Sequence, residues 1–350
     1  MRVLVAMSGG VDSSVAAHLL HRDGHEVVGV TLRLWGGPAD RGCCSVADVD
    51  DARRVADRIG VDHHVFDFAE AFETHVVAPY VADHVAGRTP NPCIECNRHV
   101  KFDLLVARAA ALGFDAVATG HHARVVVRPD GTRRVGRGLD PAKDQSYVLH
   151  MLTGHVLDRL VFPVGDRTKA DVRAIAAAAG LRTAAKPDSQ DVCFIAGDGG
   201  RRTFLGERIP LRPARVVDLD GVEVGSVEAV QLVTLGQRRG LGLAGAAAGR
   251  YVVDVDVAGA TVVVGPPEAT LVREVVLGDP VWADGPPAEG ERVLVQCSAH
   301  GRVAVARVAH HPGAVALRWE EPQRRVAPGQ SVVCYDADAP DEVLGGGTAR

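Results

Sequence analysis

Val3-Leu4-Val5-Ala6-Met7-Ser8-Gly9-Gly10-Val11-Asp12-Ser13-Ser14 is the stretch on which the fold turns. A short apolar run reads as a strand and gives way to a polar glycine turn. Val15, Ala16, Leu19 and Leu20 then recur at helical spacing, and Gly24 stops the helix. Glycines let backbone N–H groups close on an anion, and a helix start adds its positive end. Ser8, Ser13 and Ser14 offer hydroxyls to phosphate oxygens, and Asp12 suits either Mg²⁺ or the helix cap. The phosphate loop with a Lys after its second glycine is absent. SGGxDS directly after an N-terminal strand is far more specific than a glycine pair, and it resembles the pyrophosphatase-type (PP) loop of enzymes that split ATP into AMP and pyrophosphate.

Outward from that loop, strand and helix patterns alternate through the first two hundred residues. Glu26 to Leu32 and Val65 to Phe68 read as strands. Helices are expected from Val49 to Ile59, from Lys101 to Leu112 and from Lys169 to Ala179, the first and last stopped by Gly60 and Gly180. This rhythm implies right-handed crossovers and a parallel sheet. After about Arg208 short β-branched runs alternate with turn signals such as Asp220-Gly221 and Pro286-Pro287, and strands are expected at Tyr251–Val257, Thr261–Val264, Arg292–Cys297, Val303–Val308 and Ser331–Tyr335.

Composition narrows the class. Of 350 residues 47% are hydrophobic, and the net charge of −5 argues against a nucleic-acid coat while leaving a local basic patch open. No apolar run reaches membrane-spanning length. Seven cysteines are too few for a disulfide scaffold and point to a reducing cytoplasm. Four lysines stand against 35 arginines, and the two asparagines, Asn91 and Asn97, fall within seven residues of each other.

Those asparagines bracket the second chemical segment, Thr89-Pro90-Asn91-Pro92-Cys93-Ile94-Glu95-Cys96-Asn97. A thiol near a helix start beside Arg98 and Lys101 has its thiolate favoured. Cys93-x-x-Cys96 reads as a redox pair, half of a metal site, or a nucleophile with a neighbour, and no second C-x-x-C completes a zinc site. Cys193, in Asp188-Ser189-Gln190-Asp191-Val192-Cys193-Phe194-Ile195, reads by itself as a small buried apolar residue. Cys43-Cys44 is weak, and Cys297 and Cys334 read as core. His121-His122 follows a strand end, where α/β sheets place ligands. Lys143-Asp144-Gln145-Ser146-Tyr147 hints at phosphate or RNA contact.

Together these segments resemble one family, the tRNA-specific 2-thiouridylases, almost end to end. The likeness includes the SGGVDSS loop, Cys43-Cys44-Ser45, Thr89 to Phe102, Ala118 to Ala123, Lys143 to Tyr147, Asp188 to Ile195, Thr234 to Leu243, and the run from Pro328 to Gly347. It implies a Rossmann-like PP-loop domain over residues 1–207, a small β-rich domain over 208–275 and a tRNA-contacting C-terminal β-barrel over 276–350. It implies ATP and Mg²⁺, with Ala6, Met7, Ser8, Gly9, Gly10, Val11, Asp12, Ser13, Leu32 and Gly120 at the nucleotide. Cys193 matches the persulfide carrier and Cys96 its partner, leaving a Cys96–Cys193 disulfide to be reduced; a persulfide needs a second thiol to discharge it. Asn91, Pro92 and Cys93 match the segment at the target base, and Lys143, Asp144, Gln145, His121 and Gln330 match tRNA contacts. The implied partners are tRNAs for Lys, Glu and Gln and a persulfide donor such as a cysteine desulfurase or sulfur-relay protein.

Two departures stand out. A member of that family has Asp where this chain has Cys93, and three thiols, Cys93, Cys96 and Cys193, suit an iron–sulfur cluster as in related thiolating enzymes. Where the family shows an Arg-Tyr pair for tRNA, this chain reads Ser298-Ala299-His300-Gly301, with Arg302 and Arg307 nearby as substitutes. A different adenylating ligase and an RNA-binding module with a regulatory ATP site remain as alternatives; the first leaves Cys96 and Cys193 unexplained, and the acidic charge weighs against the second.

Overall fold

The computed structural model describes residues 1–34, 45–188, 192–195, 199–243 and 249–350, without the side chain of His155. Cys43, Cys44, Ser189, Gln190, Asp191 and Gly197 therefore lie outside the described residues.

The first domain is built on a five-stranded parallel sheet in the order β3 (Asp62–Asp67), β2 (Glu26–Arg33), β1 (Arg2–Ala6), β4 (Ala116–Thr119), β7 (Leu160–Val161). Both faces are covered, as a parallel sheet requires. On one face Val3 and Val5 of β1 pack with Val15, Leu19, Ala52 and Val172 of α1 (Val11–Arg22), α2 (Val46–Ile59) and the Lys169–Ala178 helix. On the other, Leu4, Val30 and Leu32 meet Phe72, Phe102 and Leu105 from helical segments between Ala69 and Ala111. The strand order reverses between β1 and β4, so a crevice opens beyond their C-terminal ends, where ligands of such sheets sit. The glycine turn after β1 and the Gly120-His121-His122 segment after β4 flank it.

A hairpin of β5 (Ala123–Val127) and β6 (Arg133–Arg137) interrupts the alternation. The second module is a four-stranded sheet, β10 (Tyr251–Asp256), β11 (Thr261–Gly265), β8 (Ala214–Val217), β9 (Glu223–Val227). The third is a closed barrel in the order β12 (Leu271–Trp282), β15 (Ala314–Arg324), β14 (Ala304–His311), β13 (Arg292–Gln296), β16 (Ser331–Asp336), β17 (Val343–Ala349).

The barrel's first strand starts at Leu271, ahead of residue 276, and runs through Asp279-Pro280. A bulge permits this: the register against β17 shifts between Gly278 and Val281, and Asp279 takes a positive φ of 47°. The extra residue lifts Pro280 out of the ladder, so its missing N–H costs no pairing.

The barrel is fastened to the first domain by apolar and ionic contacts together. Val333, Tyr335 and Val343 belong to the apolar cluster of the first domain. Arg134 of β6, with its side chain only 9% exposed, pairs with Asp284, Asp336 and Glu342 at 2.7, 2.9 and 3.2 Å. The two domains thus share a core rather than a linker. Among the described residues no helix is long and apolar enough to cross a membrane.

Candidate functional site

The loop after β1 is shaped by what it cannot hold. Gly9 has a φ of +72°, and a Cβ there would collide with the Asp48 carbonyl of α2. At Gly120 a Cβ would strike the backbone of Asp12 and Ser13, so β4 delivers its glycine directly against the first turn of α1. Gly10 is the N-cap of α1, and no side chain caps it. The hydroxyls of Ser13 and Ser14 both donate to the Gly10 carbonyl, at 3.2 and 2.8 Å, and Ser13 Oγ also accepts from the Ser8 N–H. The serines therefore brace the turn, and the first amides of a twelve-residue helix form an anion-binding end. Ala6, Met7, Val11 and Leu32 are apolar and buried or half-buried.

Asp12 does not cap the helix. Both its oxygens accept from Lys169 Nζ, at 2.8 and 2.7 Å, and Oδ1 lies 3.1 Å from His122 Nε2. Burial works against its ionisation, but His122 and Lys169 outweigh burial and hold the carboxyl below its ordinary range. Lys169 also reaches Asp188 at 2.8 Å, and Asp188 takes Lys143 at 2.7 Å and Arg173 at 2.9 Å. Burial opposes that charge too, yet the surrounding lysines bring Asp188 to about 2. On the other side of the loop, Lys186 Nζ donates to the Gly9 carbonyl, Asp48 and Asp51 at 3.0, 2.7 and 2.8 Å. Two of the four lysines, Lys169 and Lys186, thus bond the loop, and a third, Lys143, is linked to it through Asp188.

A hard cation needs one or two carboxylates plus substrate phosphates, and Asp12 fits that demand. An iron–sulfur cluster fits less well. Among the described residues no three His, Cys, Asp or Glu side chains gather to hold a metal, and Cys93 is exposed while Cys96 is buried. Cys96 opens a π-helical stretch, Cys96–Leu104, of the kind often found where function distorts a helix. Asn91 caps the preceding turn by accepting from the Cys93 N–H at 3.1 Å, with Pro92 buried behind it. Cys96 lies in the same apolar cluster against which half-buried Cys193 packs. Phe194, next to Cys193, is anchored edge-on to Phe72 and Tyr80 at 5.5 Å each. Gln330 of the barrel donates to the Thr89 carbonyl, which ties the barrel to the cysteine segment.

Family comparison agrees with this architecture along the whole chain. The family model described as "tRNA methyl transferase HUP domain" matches residues 1–197, "tRNA methyl transferase PRC-barrel domain" matches 202–266, and "Aminomethyltransferase beta-barrel domain" matches 272–349. The tRNA-specific 2-thiouridylase MnmA of Thermobifida fusca is 47% identical over 99% of this chain and 95% of its own length. That of Beutenbergia cavernae is 49% identical over 96% of this chain and 92% of its own. The chain belongs to the tRNA-specific 2-thiouridylase (MnmA) family. A 4-thiouridine synthetase–RNA complex with bound ATP aligns at 18% identity over 59% of this chain and 48% of that one, with a TM-score of 0.38, too slight a likeness to argue from.

Several residues that the MnmA resemblance assigns to tRNA face inward. His121 is fully buried between Phe102 and Phe162, its Nδ1 lies 2.7 Å from Thr119 Oγ1, and burial, with Lys101 and His122 nearby, drives its pKa down to about 3. Asp144 accepts from Arg137, the Gly138 N–H and Ser146, and Gln145 accepts from the His122 N–H. Ser146 and Tyr147 go on to bond Tyr335 and the Ser331 carbonyl. Lys143–Tyr147 is therefore a joint between the first domain and the barrel, with the Lys143 side chain more exposed than that of Asp144. Sequence reasoning singled out His122 with His121 at a strand end but missed Lys169 and Lys186 as partners of the loop. The depletion of lysine was the available signal, since the few that remain are where this site uses them.

Proposed function

We propose that this protein 2-thiolates the wobble uridine of tRNA in two steps on one crevice. ATP lies with its β- and γ-phosphates at the Ser8–Ser13 turn and the α1 N-terminus, where Asp12 would hold a Mg²⁺ that would neutralise phosphate charge. The uridine C2 oxygen attacks the α-phosphate, giving an O-adenylated base and pyrophosphate; the helix amides stabilise the charge that builds on the leaving group, and Lys169 holds Asp12 in place beside them. In the second step Cys193 carries a persulfide. The Cys96 thiolate attacks the Cys193 sulfur, a Cys96–Cys193 disulfide forms, and hydrosulfide leaves; hydrosulfide adds at C2 and expels AMP, and an external dithiol reduces the disulfide. Asn91, Pro92 and Cys93 line the base, and Lys143 and Gln330 meet the RNA. His121, Asp144 and Gln145 act from beneath by holding these elements.

The observation that carries this reading is an uncapped, glycine-fitted helix end in the same domain as Cys96 and Cys193, which pack at one apolar cluster. A PP-loop ligase has no use for the two thiols, and a binding module has no use for either. The test is nucleoside mass spectrometry of unmodified tRNA incubated with ATP, Mg²⁺, a persulfide donor and the air-purified, chelator-treated protein. The expected result is 2-thiouridine with stoichiometric, tRNA-dependent pyrophosphate. Pyrophosphate release indifferent to tRNA overturns the assignment, and activity only after anaerobic iron–sulfur reconstitution overturns the persulfide step.

A further inference from the structure

We propose that Lys186 is a positioning residue that aims the Gly9–Gly10 peptide of the loop at the β- and γ-phosphates of ATP. The proposal rests on the reading of the loop as an ATP site and assigns a role to a residue that touches no phosphate.

In a trans peptide the carbonyl and the following N–H point in opposite directions. Lys186 Nζ, at 3.0 Å from the Gly9 carbonyl oxygen, fixes one end of that peptide, so the Gly10 N–H is turned the other way, toward the α1 N-terminus. Left to itself this peptide is among the least constrained in the chain, because Gly9 and Gly10 flank it and both halves of glycine's φ range are accessible. The Lys186 side chain is in turn held by Asp48 and Asp51 on α2, at 2.7 and 2.8 Å. Its place on α2 is fixed as well, since Ser45 caps that helix and exchanges bonds with Asp48.

Charge decides between a phosphate ligand and a positioning group. Lys186 faces two carboxylates, and Arg182 meets Asp51 at 3.1 Å, so two cations balance two anions. A balanced cluster projects little field onto a polyphosphate, and all three ammonium protons already have acceptors. What remains is orientation. Two residues on, Asp188 grips Lys169, which holds Asp12 on the far side of the same turn. Residues 186–188 therefore clasp the loop from both sides.

The test compares calorimetric titrations of a non-hydrolysable ATP analogue and of AMP into the wild-type protein, K186M and K186R. For K186M the expected result is at least tenfold weaker binding of the ATP analogue, with AMP affinity changed less than twofold, because AMP lacks the β- and γ-phosphates. K186R should recover part of the loss. Equal affinity of K186M and wild type for the ATP analogue overturns the clamp, and so does a parallel loss of both ligands, which is the signature of a site that has merely come apart. If K186M does not fold, D51N carries the test: loosening the lysine should weaken the ATP analogue several-fold and spare AMP, and no change overturns the proposal. A wild-type protein that binds neither ligand overturns the ATP reading itself.

Discussion

The loop after β1 and the cysteine segments belong to one domain but are built differently. The loop is a local object: strand, turn and helix follow one another within twenty residues, its serines bond its own carbonyls, and lysines from afar only tighten it. The proposed sulfur chemistry is divided between Cys96 on a distorted helix and Cys193 in a segment nearly a hundred residues later, joined by an apolar cluster and no shared turn. Anion binding needs amides in fixed directions, which a few consecutive residues supply. Sulfur relay needs two thiols that approach and part, which favours separate segments.

The largest effect separates the two halves most sharply. Cys193→Ser is expected to lower thiolation by at least about a thousandfold while tRNA-dependent pyrophosphate formation by adenylation of the base continues, since the loop does not depend on the thiol. Retained 2-thiouridine by mass spectrometry removes Cys193 from the reaction. Asp12→Ala is the converse. It removes the acceptor for Lys169 and the candidate Mg²⁺ ligand, so pyrophosphate release should fall by about 10² to 10³. Persulfide loading of Cys193, followed by alkylation and intact-mass measurement, should be unchanged.

A third prediction concerns the ground on which both halves stand. His84, His121 and His150 are buried with pKa values pushed down to about 4, 3 and 4, chiefly by desolvation. Between the ordinary value near 6.5 and these figures the unfolded chain takes up protons that the folded chain refuses. Stability is therefore full above pH 6.5 and is lost as pH falls toward 3. Urea midpoints at pH 7 and pH 5 should show the lower stability at pH 5, and equal midpoints contradict the burial. The smallest effect is reserved for Cys93→Ser. An exposed thiol beside the base should change thiolation only several-fold, whereas a loss as deep as that of Cys96→Ser identifies Cys93 as a cluster ligand.

How legible each part was follows from how local it is. The parallel sheet, α1 and α2 show in periodicity, because strand–turn–helix units signal through neighbours in the chain. The β5–β6 hairpin and the passage of β12 through Asp279-Pro280 do not show. The hairpin's strands are short and half-polar, and the proline that signals a break is accommodated by a bulge. The same rule governs the site. The glycine turn and the C-x-x-C pair stand out as residue types at fixed spacing, whereas Cys193 by itself reads as core and takes its expected role from the family likeness alone.

By itself, then, the sequence determined the order of the three modules and the glycine turn after β1, which depend on residues within a turn or two of each other. Only the tertiary structure decided which charges serve the loop and which family positions face inward. Lys169 stands 157 positions from Asp12, and Lys186 stands 177 from Gly9. A charge finds its partner through space, and the path between them runs through the whole sheet. His121 and Asp144 make the same point in reverse. Both are polar residues that the sequence offers to a ligand, and both are buried because the folded chain supplies hydrogen-bond partners that replace water.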